Sequence, residues 1–66
     1  MLNRIPELRK ENRLTQQDLA EQLSVSRQTV ISLEKGKYDP SIGLAHKIAK
    51  LFGLSIEEVF IFEEDH

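Results

Sequence analysis

A chain of 66 residues has room for one small domain, and with no cysteine and no tryptophan it carries neither a disulfide framework nor a cysteine-based zinc site. Hydrophobic residues make up 39% and charged residues 30%, with three Gly and two Pro, which excludes a disordered or fibrous chain. The net charge of −2 conceals a split: residues 1–50 hold all nine Lys and Arg against six acids, a local +3, whereas residues 51–66 hold five acids and no Lys or Arg, a local −5.

Apolar spacing and cap residues predict five short helices. The first runs from Arg4 to Asn12, with Ile5 and Leu8 three apart and Pro6 accommodated in a first turn that needs no amide donor. Thr15 is an N-cap with Asp18 three residues on, an approximate capping box, and the helix it opens buries Leu19, Ala20 and Leu23. Ser24-Val25-Ser26 breaks that pattern. Ser26 caps a third helix from Arg27 to Lys35, with Val30 and Leu33 inward and Gly36 as the stop. Lys37-Tyr38-Asp39-Pro40 reads as a loop, because Pro40 biases Asp39 away from helix. Ser41 caps a fourth helix with Leu44, Ala45, Ile48, Leu51 and Phe52 inward, closed by Gly53, and Ser55 caps a last one with Ile56, Val59 and Phe60. The one strand candidate is Ile61-Phe62-Glu63.

At this size one core is only marginally sufficient, so caps or a partner subunit are expected to add stability. The longest apolar run, Val59-Phe60-Ile61-Phe62, is four residues, too short for a membrane span or a secretory segment. A soluble, cytoplasmic protein without a membrane partner is expected, with its acidic end turned away from any polyanion.

Function is carried by the helix pair Gln16–Leu23 and Arg27–Lys35, joined by a three-residue turn. Ala20 is small where the two would cross, and Leu19, Leu23, Val25, Val30 and Leu33 form the seam, which is what a helix-turn-helix requires. With Val30 and Leu33 inward, the hydrogen-bonding side chains of Arg27, Gln28, Ser32 and Lys35 are left on the outer side of the second helix.

The segment LTQQDLAEQLSVSRQTVISLEKGKYDPS resembles the DNA-binding motif of the lambda-repressor-like, Cro/cI-type (XRE) regulators, and the resemblance continues through LAHKIAKLFGLSIEEVF. It implies an all-α, five-helix, lambda-repressor-like domain over residues 1–60, with its motif at 16–35 and a tail at 61–66. In such regulators the second helix of the motif enters the major groove. The resemblance therefore assigns base reading to Arg27, Gln28 and Ser32, with Arg suited to guanine and Gln to adenine. Ile31 lies one turn from Arg27, where it either touches a thymine methyl or packs partly against the scaffold. Phosphate contacts are assigned to Gln16, Gln17, Thr29, Lys35, Lys37 and Tyr38, which position the protein without reading sequence. Arg9 and Glu34 match positions that form a largely buried ion pair. Ser24 stands where the family most often has Gly, so a left-handed conformation there carries strain of about 1–2 kcal/mol.

The expected function is a sequence-specific regulator of double-stranded DNA, a repressor in the first instance, with an antitoxin or protein-interaction adaptor as the alternative on the same fold. A toxin or other protein partner therefore stays open. Catalysis is not expected: neither His46 nor His66 has a nearby nucleophile with an orienting carboxylate, and no phosphate-binding loop or metal-ligand spacing occurs. No cofactor, metal or small-molecule ligand is called for. Ile61 and Phe62 extend beyond the last helix and are costly to expose in so small a domain. A homodimer through Phe60, Ile61 and Phe62 is expected, with Ile61-Phe62-Glu63 pairing with its symmetry mate as a short strand.

Overall fold

The computed structural model describes residues 2–62. Its elements in chain order are β1 (Leu2–Asn3), α1 (Ile5–Glu11), α2 (Gln16–Leu23), α3 (Arg27–Glu34), α4 (Ile42–Leu51), α5 (Ile56–Val59) and β2 (Phe60–Ile61). The five helices are those predicted, with α1 one residue shorter at each end and α3 ending at Glu34 rather than Lys35. His66 and the acids Glu63, Glu64 and Asp65 lie outside the described residues.

Helices α2 to α5 begin where hydroxyl side chains satisfy first-turn amides, whereas α1 follows Arg4 without a side-chain cap. Thr15, Ser26, Ser41 and Ser55 each accept from the backbone N–H three residues on. At Thr15 the box is complete, since the Asp18 carboxylate returns a bond to the Thr15 N–H at 2.9 Å. Ser55 and Glu58 form a second complete box, for which the sequence reading provided only the cap.

Helices α1 to α4 all close in the same way, with a left-handed residue whose N–H and that of its successor bond back into the last turn. The left-handed residues are Arg13 (φ 57), Ser24 (φ 59), Gly36 (φ 73) and Gly53 (φ 70). At α3 the bonds run from Gly36 N–H to the Leu33 carbonyl and from Lys37 N–H to the Ser32 carbonyl, both 3.0 Å. Glycine takes this conformation freely, whereas Arg13 and Ser24 pay steric strain for it. Both non-glycine positions flank α2, and only Ser24 was foreseen.

One core serves the described residues. Ile5, Leu8, Leu19, Ala20, Leu23, Val30, Leu33, Ala45, Ile48, Ala49, Val59 and Phe60 are buried, and Val25, Leu44, Leu51, Phe52, Leu54 and Ile56 pack partly against them. A fully buried Leu, Ile or Phe contributes about 1.5–3 kcal/mol, so this cluster is the main source of stability. Leu44, Leu51 and Phe52, expected inside, line the edge of the core rather than its centre.

The terminal strand differs from the expectation in position and in partner. It spans Phe60–Ile61 and pairs antiparallel with Leu2–Asn3 of the same chain, Leu2 opposite Ile61 and Asn3 opposite Phe60. A local partner was present at the other end of the chain, so pairing with a symmetry mate is not what holds this edge of β2. Arg4 N–H to the Val59 carbonyl, 2.8 Å, continues the join. Phe60, expected at a dimer contact, is 2% exposed within its own core, while Ile61 and Phe62 remain at the surface.

Candidate nucleic-acid interface

Ala20 is 1% exposed where α2 meets α3, and a methyl side chain is what lets two backbones approach there. The turn between them is fixed by Ser24 in the left-handed region, with Val25 N–H bonded to the Ala20 carbonyl at 3.0 Å. Lys47 on α4 donates to the Leu23 carbonyl at 3.0 Å, placing a cation at the C-terminal end of α2. No sequence signal pointed to that contact.

Helix α3 is seated by Val30 and Leu33, both buried, which turns Arg27, Gln28, Ser32 and Lys35 outward as expected from helical spacing. Arg27, Gln28 and Lys35 are exposed, and Ser32 and Ile31 are half-buried. Ser26 holds the start of the helix twice over, accepting from Thr29 N–H at 3.1 Å and sharing a hydroxyl hydrogen bond with Thr29 at 2.9 Å.

Behind this face lies the ion pair. Arg9 Nε is 2.7 Å from Glu34 Oε2, with side chains only 12% and 8% exposed. Arg9 also donates to the Leu14 carbonyl at 2.9 Å, and Gln16 Nε2 donates to Glu34 Oε1 at 3.1 Å. Three helices are thereby tied at one point: α1 through Arg9, α2 through Gln16 and α3 through Glu34. Asn3 adds a fourth attachment, donating to the Leu33 carbonyl at 2.8 Å while its Oδ1 accepts from Ile5 N–H at 3.0 Å. The bond to Leu33 carried no recognisable signal in the sequence, since the two residues lie far apart along the chain.

The residues assigned to phosphate contact are distributed around this face. Gln16 is half-buried and its amide is engaged by Glu34, whereas exposed Gln17 donates to Glu21 one turn on at 3.2 Å. Thr29 is half-buried, with its hydroxyl on Ser26. Lys35 and Lys37 are exposed just beyond α3, held there by the Gly36 turn, and Tyr38 is 44% exposed in the following loop. A groove beside α2 gathers Gln17 and Arg27 together with Lys10 and Arg13. Those last two cations were absent from the sequence-based assignment.

His46 is exposed on α4 with Lys50 one turn on. Among the described residues no group of His, Asp and Glu is arranged to hold a metal ion, and no helix is long and apolar enough to cross a membrane.

Two short helices crossing at a buried alanine, the second presenting a polar, cation-bearing outer face, define a helix-turn-helix DNA-binding domain. The helix-turn-helix family model matches residues 5–59, and the chain belongs to that family. It is 58% identical over 65 residues to an HTH-type transcriptional regulator of Methanocaldococcus jannaschii, with 98% of each chain covered. It is 46% identical over 66 residues to the HTH-type transcriptional regulator YgzD of Bacillus subtilis, with 100% of each covered. Similarity extends to the immunity repressor protein of Bacillus phage phi105, at 36% identity, where 92% of this chain matches 46% of that protein. DNA-binding transcriptional regulation is the function these comparisons support.

Proposed function

We propose that the chain is a homodimeric repressor that recognises a palindromic operator by inserting α3 into the major groove. The observation that carries this reading is the outer face of α3, where Arg27 and Gln28 are exposed at the N-terminal end on a helix fixed from behind by Val30, Leu33 and the Arg9–Glu34 pair. Rigid backing matters because a base-reading side chain discriminates only when its backbone is held in place. Arg27 reads guanine and Gln28 adenine, each worth about 1–3 kcal/mol of discrimination, with Ser32 one turn further along. Gln17, Lys35, Lys37 and Tyr38 meet phosphates on either side. Gln16 and Thr29, whose side chains are engaged within the protein, act there through the orientation they give to the helix ends.

The dimer is supported by a cluster of exposed apolar side chains: Leu2 (58%), Ile42 (79%), Ile61 (46%) and Phe62 (58%). Ile42 and Phe62 border a hollow of about 290 Å³ floored by Ala45, Ile56 and Phe60, and a second copy is the proposed occupant. Two-fold symmetry through this face sets the recognition helices about 34–36 Å apart, one turn of DNA. Occlusion of a promoter by the bound dimer is the proposed mode of repression, in the cytoplasm.

Selection of bound duplexes from a random pool at near-physiological salt tests the reading, since non-specific binding is suppressed there. A palindrome with half-sites one helical turn apart is the expected result, and loss of base preference in Arg27→Ala is its corollary. Recovery of no sequence, with weak binding to every duplex, would transfer the domain to the adaptor or antitoxin alternative.

A further inference from the structure

Three of the nine Lys and Arg residues are held within the protein: Arg4 by Glu7, Arg9 by Glu34, and Lys47 by the Leu23 carbonyl. Lys10, Arg13 and Arg27 are different. All three are exposed, none has an ion-pair partner among the described residues, and all three line one groove of about 670 Å³ beside the start of α2. Among the described residues no carboxylate lines that groove. The acids beside it are engaged: Glu34 accepts from Arg9 and Gln16, Asp18 accepts from the Thr15 N–H, and Glu21 accepts from Gln17. Uncompensated positive charge of this density is the signature of a site for a polyanion.

Arg13 supplies a second observation. It occupies the left-handed position closing α1, with φ 57, where the ends of α3 and α4 use Gly36 and Gly53. A long cationic side chain is strained in that conformation, and strain of this kind clusters where the side chain has work to do. From this turn Arg13 lines the groove that Arg27 shares. Arg27 opens the recognition helix, so an anion in this groove lies beside the base-reading residues.

We propose that Lys10 and Arg13 grip a backbone phosphate of the operator, so that the corner between α1 and α2 forms part of the DNA-binding surface. This rests on the reading of α3 as the recognition helix. The contact is sequence-independent: Arg13 presents a fork of donors to phosphate oxygens and Lys10 a point charge. It fixes the depth and tilt at which α3 enters the groove.

The test uses the full chain and the operator recovered by selection, with binding measured across a range of salt for wild type, Lys10→Gln, Arg13→Asn and the double variant. Asparagine tolerates the left-handed region, so Arg13→Asn is expected to melt at or above the wild-type temperature. Each substitution is expected to flatten the dependence of log affinity on log salt by about one unit, and the double variant by about two. The preferred sequence is expected to stay the same. Lys50→Gln, which removes an exposed cation from the separate groove between α4 and α5, is expected to leave the slope unchanged. A double variant with the wild-type slope overturns the corner contact, as does an equal effect of Lys50→Gln, which would reduce the result to net charge. A wild type that binds no duplex overturns the function itself and is thereby distinguished from either outcome.

Discussion

The outer face of α2 and α3 and the β1–β2 ribbon meet at Asn3, yet they are opposites in chemistry. The first presents Arg27, Gln28, Lys35 and Lys37 with no large apolar side chain fully exposed between them. The second presents Leu2, Ile61 and Phe62, and the helix leading into it, α5, carries Glu57 and Glu58 in its first turn. A domain this small can present two surfaces of opposite chemistry because its core is shared while its surfaces are not. Asn3 joins the two regions, since it belongs to the ribbon and donates to the Leu33 carbonyl on the last turn of α3.

The sharpest break in that comparison is electrostatic. Arg9→Ala or Glu34→Ala strands a charge that is almost wholly buried, and each is expected to cost about 3–5 kcal/mol in urea unfolding. Arg4→Ala removes an ion pair on the ribbon side whose members are 41% and 58% exposed, with an expected cost of about 0.2–1 kcal/mol. Equal costs would show that the Arg9–Glu34 knot is not what braces the reading face.

The ribbon can be dissected in the same way. Phe60→Ala empties a core position and is expected to lose about 3–5 kcal/mol. Ile61→Ser with Phe62→Ser changes surface positions, so the fold is expected to stay within about 0.5 kcal/mol of wild type. Sedimentation of that double variant is expected to give a monomer mass where wild type gives a dimer. A monomeric wild type would remove the apolar face from the interface and leave its exposure unexplained.

Local chemistry made most of the fold legible, and tertiary chemistry concealed the rest. Thr15, Ser26, Ser41 and Ser55 announced four helix starts because a cap acts within three residues of itself. Gly36 and Gly53 announced two ends for the same reason. Leu2–Asn3 could not be read, since a two-residue strand has no periodicity and its partner lies at the far end of the chain. The outer residues of α3 followed from helical spacing alone, whereas Lys10 and Arg13 joined the candidate site only when folding brought α1 beside the start of α3. Arg9 and Glu34 were assigned by family resemblance; nothing in their spacing marks them as partners.

A smaller effect separates the two strained turns. Ser24→Gly relieves the left-handed conformation closing α2, at a site with no proposed DNA contact, and is expected to raise stability by about 0.5–1 kcal/mol with operator affinity unchanged. Arg13→Asn is expected to spare stability and lower affinity. If Ser24→Gly also lowered affinity, the turn geometry rather than the charge at Arg13 would be the functional variable.

The smallest expected effects come from the two capping boxes, one serving each region. The Thr15 backbone N–H bond, reinforced by the Thr15 hydroxyl and opposed by slight desolvation, holds the Asp18 carboxyl below its ordinary value of 3.8. The same contacts from Ser55 lower Glu58 below 4.5, with a minor contribution from Arg4. A depressed carboxylate adds stability that is fully present above the unfolded pKa and is lost as pH falls through the folded one. Both boxes should therefore hold at neutral pH and fail in acid, below the usual carboxylate range. Their failure is expected to be local, because each box closes only one first turn. Leu19 N–H, bonded to the Thr15 carbonyl, reports on the first box, and Arg4 N–H, bonded to the Val59 carbonyl, on the ribbon that follows the second. In hydrogen exchange corrected for intrinsic rates, Asp18→Asn is expected to lower protection at Leu19 and spare Arg4, and Glu58→Gln to do the reverse. Coupled loss at both amides in either variant would mean that the two regions open as one unit, and that the shared core, rather than the caps, governs both faces.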